Sequence, residues 1–344
     1  MARSTAQIID ALAPSVRRAF IASMRDLTSS VNLGLFTKHL KAGDIELAIH
    51  VLNIGPEFFG PLDKALRDAY ALSGAELLGQ ITALGLADPI TGGRVVARFG
   101  TGNPRAEQFL RDQSSKLITV ISDQTKDLAR EILREGLAAG RSPRSVALDL
   151  VGRKGAGKGP RKGGIMGLNR PQSKAASTAL EELVTGGNPS LSNYLTRKTR
   201  SKKFDRLVLQ AIKSGKPIPA PTARKMISAM KDNMLRNRGE AIARSELLAS
   251  VNQAQEEGLT QLVDSGKVEA RHIEGEWDAA EDADVRPSHA FMDKQRQLFG
   301  TPFVSGNGNL LLMPGDRSHG APGDEVINCR CFRRIRINFL ARLK

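Results

Sequence analysis

Through most of the first 264 positions apolar side chains recur every three or four residues. That is the spacing of one buried helix face, and it excludes a chain built mainly of strands. Residues 5–30 place Ile8, Ile9, Leu12, Val16, Phe20, Met24 and Leu27 on such a stripe, with Pro14 expected to kink or break it. Asp44 opens a helix over 44–54 that Gly55-Pro56 closes, and Leu62, Leu66, Tyr70, Leu77 and Ile81 mark another over about 57–84. Residues 1–90 therefore read as an N-terminal helical module. The segment 94–99 (RVVARF) alternates as a short strand does. Asn103-Pro104 then caps a helix carrying Phe109, Leu110, Leu117, Ile118 and Ile121. A second helix over 123–139 stops at Gly140, and Ser142-Pro143 starts a third, so 95–150 is a helical segment.

Residues 151–216 form a basic loop and linker helix, and helices over 222–236 and 238–264 follow. After Gly266 the texture changes. VEARHIEGEW (268–277) alternates as a strand, an acidic loop leads to a short helix around 288–297, and 300–326 is rich in Gly and Pro. The last strand sets Ile335, Ile337 and Phe339 on one face against Arg334, Arg336 and Asn338 on the other. Residues 217–344 thus hold helices plus a small α+β unit. The expected fold class is mainly α, helical through the N-terminal and middle regions, with that α+β unit at the C-terminus.

No apolar run approaches the roughly 20 residues of a bilayer span, so no membrane partner is expected. The first twenty residues lack the continuous apolar stretch of a secretory signal, and two cysteines two positions apart cannot frame a disulfide scaffold. These features predict a chain that begins in the cytoplasm. Its formal charge is +15, and the segment 151–216 holds fifteen basic residues against three acidic ones, a net +12. The run GRKGAGKGPRKGG (152–164) is too poor in apolar groups to bury itself, and it suits contact with phosphates. Arg153, Lys154, Lys158, Arg161, Lys162, Lys202 and Lys203 are the candidate nucleic-acid contacts, with a solvated linker as the plain alternative. Tyr194 and Phe204 are the few aromatics nearby, so duplex backbone fits better than stacked single strands. Residues 152–158 match GxxxxGK, but Gly159 stands where a P-loop needs Ser or Thr for magnesium, which argues against nucleotide binding.

Four features occur in a fixed order. The first is the strand, NP-capped helix and Gly-Arg-Ser ending of 98–150; the second is IMGLNRPQ (165–172). The third is RNRGEAIARSELLASVNQAQEEG (236–258), in which Arg244 and Glu246 precede Asn252. The fourth is Trp277, an acidic loop, Arg286-Pro-Ser-His289 and finally INCRC with Cys329 and Cys331. In this order, over about residues 95–335, the chain resembles the phage Mu F-like head morphogenesis proteins, minor head proteins of tailed bacteriophages. The resemblance implies a virion protein without enzymatic activity, inside the capsid near the portal vertex. It would act in head assembly, DNA packaging or ejection. Its implied partners are the portal protein, the major capsid or scaffold protein and, nonspecifically, phage DNA. Homo-oligomerisation is open. The N-terminal helices, which lack a family signature, are the candidate docking surface.

In some relatives the loop after the tryptophan carries cysteines that could join the terminal Cys-x-Cys on a metal. Here His289, His319, Cys329 and Cys331 would supply a tetrahedral structural zinc site. Core packing with no bound cofactor is the expectation and zinc the alternative, since Cys329 and Cys331 share one strand face and Glu325 occupies the turn just before INCRC. The resemblance makes Arg244 and Glu246 anchors into the C-terminal unit, with Arg244 bonded to the acidic loop; an ordinary surface pair is the competing reading. A rival function is a metal-dependent, nuclease-like enzyme holding magnesium on Asp278, Glu281, Asp282 and Asp284 beside His289.

Overall fold

The computed structural model describes residues 4–87, 92–154, 159–280 and 282–337. The fold is mainly helical, with its strands in small sheets near the C-terminus. The helices run in order α1 (Thr5–Ser30), α2 (Leu33–Lys41), α3 (Ile45–Val51), α4 (Gly60–Ala83), α5 (Pro104–Ala138), α6 (Pro143–Val151), α7 (Arg170–Thr185), α8 (Asn188–Thr196), α9 (Asp205–Ser214) and α10 (Ala220–Asp264). There follow β1 (Ile273–Asp278), α11 (Pro287–Ala290), β2 (Arg296–Leu298), β3 (Phe303–Val304), β4 (Leu310–Leu311), α12 (Gly323–Val326) and β5 (Phe332–Ile337).

Capping chemistry sets many of the starts. Asn32, Asp44 and Ser142 each accept a hydrogen bond from a backbone N–H of the first turn, and Pro143 fills the first position of α6. At α7, Asn169 and Gln172 satisfy each other's backbone N–H in a capping box.

Elsewhere packing overrides local signals. Helix α1 runs unbroken through Pro14, whose flanking Ala13 and Val16 are buried. The two helices expected over 104–139 are one: Ser122 and Thr125 are buried at the expected break, and the Thr125 hydroxyl is satisfied within the helix by the Ile121 carbonyl at 2.7 Å. The pair expected over 222–264 is likewise one. Gly239 costs a helix interior about 1 kcal/mol. Its neighbour Arg238 is buried and donates to the Gly167 carbonyl at 2.9 Å and to Gln124 at 2.7 Å. Residues 95–99 form no strand: Val95 N–H goes to the Leu86 carbonyl and Ala97 N–H to the Thr82 hydroxyl. Helix α11 ends at Ala290 rather than near 297. Trp277 exchanges backbone hydrogen bonds with Lys294 and Gln295, and residues 296–298 then join the sheet as β2.

Two compact units result: residues 1–17, 63–114 and 240–344, and residues 18–62 and 115–239. They do not follow the contiguous segments 1–90, 95–150, 151–216 and 217–344, because α1, α4, α5 and α10 each contribute to both. In the first unit, Leu77, Leu78 and Ile81 pack with Leu259, Leu262 and Ile273. Its antiparallel sheet has the order β2-β1-β5, with Trp277 opposite Arg333, and β3 and β4 form a separate hairpin. The second unit is centred on Leu168, Leu183, Leu191, Tyr194, Val208 and Met226. Among the described residues no helix is long and apolar enough to cross a membrane.

Candidate metal centre

The two-residue period of β1 turns Ile273, Gly275 and Trp277 to one face and Glu274, Glu276 and Asp278 to the other. Strand β5 lies antiparallel to it, so the acidic face meets a basic one. Glu276 lies 2.8 Å from both Arg296 and Arg336, and Asp278 lies 2.8 Å from Arg334 and 3.1 Å from Lys294. Burial raises the Asp278 carboxyl, but hydrogen bonds from Lys294 and Arg334 outweigh it and hold the pKa below its ordinary value. Arg330 takes Asp282 at 2.6 Å and Asp284 at 3.6 Å. The described acids of this segment thus meet cations of the same unit, with Arg330 shared between Asp282 and Asp284. Glu281 lies outside the described residues.

On the apolar face Trp277 is fully buried, with its ring edge-on to His289 (5.4 Å) and to Phe303 (5.3 Å). Two further bonds fix the approach of the terminal motif. The Arg286 guanidinium donates to the Ile327 carbonyl, and Asn328, at φ 56°, donates its N–H to the Ser245 hydroxyl at 3.0 Å. The chain then delivers both cysteines to one imidazole nitrogen. His289 Nδ1 lies 3.4 Å from Cys329 Sγ and 3.5 Å from Cys331 Sγ. All three side chains are buried, and their donor atoms lie within 4.8 Å of one another. The Cys329 hydrogen bond favours the Cys331 thiolate, against burial and with help from His289; the same interaction and burial push Cys329 up.

This geometry fits a metal. Tetrahedral zinc with Zn–S of about 2.3 Å and Zn–N of about 2.0 Å sets sulfur and nitrogen about 3.5 Å apart. The imidazole is oriented as in metal-bound histidines, for its Nε2 lies 2.8 Å from a Glu325 carboxylate oxygen. Glu325 is itself buried and accepts from Asn307 at 2.9 Å, Ser288 at 3.1 Å and Asn309 at 3.2 Å. Burial raises its pKa, but these donors outweigh it and hold the group below the usual carboxylate range. Glu325 is the residue whose role sequence reasoning misjudged, counting it against a metal when it orients the histidine. It lies in the short helix α12, outside the ligand motif, and its role depends on donors 16 to 37 positions away.

Of the sequence candidates, His289, Cys329 and Cys331 come together. His319 does not join them. It is partly exposed and bonds to Ser318 at 2.9 Å, with Asp316 at 3.8 Å, in its own turn. Among the described residues no other His, Cys, Asp or Glu completes the group. Arg244 reaches Asp10 at 3.5 Å rather than the acidic loop. Glu246 accepts from Gln113 at 3.1 Å, and its pKa is raised by burial. Asn252 is buried and donates to the Pro314 carbonyl at 2.8 Å, tying α10 to the loop before INCRC.

The basic candidates lie elsewhere. Arg153 and Lys162 pair through their backbones as the stem of a loop, and Arg153 also meets Asp149 at 3.1 Å. Lys154, Lys202 and Lys203 are exposed, and Lys158 lies outside the described residues. Arg197 and Arg200, by contrast, are held by Glu182 and Asp205. No family model, curated protein or solved structure matches the chain.

Proposed function

We propose that the chain is a minor head protein of a tailed phage, without catalytic activity, whose C-terminal unit is tied by a zinc ion on His289, Cys329 and Cys331, with the fourth tetrahedral position taken by a ligand from outside the chain. The observation that supports this reading is the mutual contact of the motif residues. Trp277 packs on His289, His289 faces both cysteines, Arg286 and Ser245 hold the backbone just before Cys329, and Asn252 anchors the preceding loop. Residues far apart in sequence are spent on holding one another, which is the behaviour of a structural knot. The rival nuclease reading has less support. Asp278, Asp282 and Asp284 are ion-paired, and His289 faces the thiols and Glu325 instead of the acidic loop.

In the proposed setting, the capsid interior near the portal vertex, the exposed lysines of 151–216 meet packed DNA, and the protein associates with portal and capsid or scaffold subunits. Co-expression with the cognate portal protein tests the assembly role. Co-purification is expected, and failure to co-purify, with or without residues 1–90, counts against it. Metal analysis of the purified chain should find one zinc per chain, reduced several-fold in Cys331→Ser. Metal-dependent plasmid cleavage abolished by His289→Ala would overturn the non-catalytic reading.

A further inference from the structure

The unit made of residues 18–62 and 115–239 contains a cavity of about 130 Å³ between α1, the 161–166 loop and α10. Its charged lining is Arg25, Arg161, Lys162, Lys231 and Arg236, against the single acid Asp232. None of the five cations has an ion-pair partner among the described residues. Arg25, Lys162 and Arg236 are exposed, whereas Arg161 and Lys231 are half-buried with only Asp232 in the lining and Asp149 beyond it, so the excess positive charge favours an anion there. A carboxylate carries one charge, whereas a phosphoryl group carries more and offers several acceptor oxygens to forked and pointed donors.

Donors stand unused at the wall. The Arg161 Nε is buried without a partner, while its Nη1 donates to the Gly152 carbonyl at 3.3 Å. The Gly164 N–H donates no hydrogen bond among the described residues. Lys231 is half-buried, and burial holds its pKa below that of an ordinary lysine. The loop is also rigidly fitted. A Cβ on Gly163 would come within 2.0 Å of the Ser228 hydroxyl, and one on Gly164 within 2.7 Å of the Leu150 carbonyl. One on Gly167 would come within 2.8 Å of Met24 and 2.9 Å of Leu235, two residues that also line the cavity. Glycine is required where backbone approaches this closely. The glycines of GGIMG therefore press the loop onto both helices and fix the wall.

We infer that this cavity is a receptor for one phosphoryl group, taken either as the free anion or as a single phosphate of a nucleic-acid backbone. The volume is well below the roughly 300 Å³ at which pockets for whole small molecules begin, so a nucleoside is not enclosed. The inference is independent of the head-protein reading, because phosphate binding can be measured with no capsid partner present.

Calorimetric titration of the full chain with inorganic phosphate, at constant ionic strength in chloride, tests it. Saturable one-site binding is expected, weakened at least tenfold by Lys231→Met and by Arg161→Gln, and unchanged by Lys116→Gln at an exposed position of α5. A short mixed-sequence DNA duplex forms the second arm. If phosphate and duplex compete, the occupant is backbone phosphate; if phosphate binds without displacement by duplex, it is the free anion, and either result sustains the assignment. Hydrogen exchange on the wild-type chain gives a readout free of variant folding: phosphate, relative to chloride, should protect the amides of 161–166. Absence of saturable binding, absence of that protection, or binding indifferent to both pocket variants would overturn the proposal.

Discussion

Around β1 and β5 carboxylates meet cations of the same unit: Glu276 with Arg296 and Arg336, Asp278 with Arg334 and Lys294, Glu256 with Arg333 at 2.6 Å. Around the 161–166 loop five cations face one acid, and nearby Arg238 is buried with only neutral oxygens as partners. Both regions carry clusters of arginine and lysine, so the cations alone do not separate them. What separates them is where the opposite charge comes from. In the C-terminal sheet the chain supplies it, and the result is a closed structure. At the pocket the chain withholds it, leaving a site whose electrostatic energy falls when an external anion arrives.

The sharpest way to break this contrast is to remove the acid at the centre of the closed region. Glu325→Ala strands His289, Asn307 and Asn309 without their common acceptor in a buried setting. Breaking a buried charged hub costs about 3–5 kcal/mol. Urea unfolding at neutral pH should register a loss of this size together with lowered zinc content. A loss under about 1 kcal/mol would mean that the cluster is not a closed network. Gly163→Ala probes the pocket by shape instead of charge. The added methyl meets Ser228 at 2.0 Å from Oγ and 3.0 Å from Cα, at a φ of 70°. Overpacking and left-handed strain together predict a destabilisation of about 1–3 kcal/mol, only partly recovered by adding Ser228→Ala. Full recovery would show that the backbone approach is looser than the geometry indicates.

Much of this was legible in the residues. Stripes such as Phe20, Met24 and Leu27 and caps such as Asp44 and Ser142 located helices, because both signals are local. Boundaries failed where long-range packing decided: Pro14 lies inside α1, and Gly239 lies inside α10 beside a buried Arg238. At the candidate centre the ligand types His289, Cys329 and Cys331 were readable, since metal chemistry uses few side chains. The supporting role of Glu325 was not, because an acid outside the ligand motif gains its meaning from partners brought by the fold. The basic face of β5 was legible but its partners were not, as its arginines are matched by acids on β1 that no local pattern couples to it. The pocket was half legible. Arg161 and Lys162 stood out in the basic run, while Arg25, Lys231 and Arg236 come from two distant helices.

The smallest predicted effect tests the contrast by its sign. Asp278 has a folded pKa below its ordinary 3.8, so its stabilisation is fully present above that value and is lost as pH falls through the lower folded value. Asp278→Asn should therefore destabilise the chain by about 1 kcal/mol at pH 7, given the exposure of its two cations, and by progressively less as pH falls below 3.8. Lys231 behaves in the opposite way. Its folded pKa lies below the ordinary 10.5, so the unfolded chain binds the proton more tightly and the charged lysine opposes folding at neutral pH. The penalty is complete below the folded value and fades as pH rises toward 10.5. Lys231→Met, which keeps the stem and drops the ammonium, should then leave stability unchanged or raise it by up to about 1 kcal/mol in chloride at pH 7. In saturating phosphate the sign should reverse, because the wild type gains more binding energy from the anion than the weakened variant does. Unfolding curves of wild type and the two variants, at pH 7 and pH 3 in chloride and at pH 7 in phosphate, decide the matter. If Lys231→Met destabilises in chloride as Asp278→Asn does, the pocket cations are matched within the fold, and the two regions are built alike.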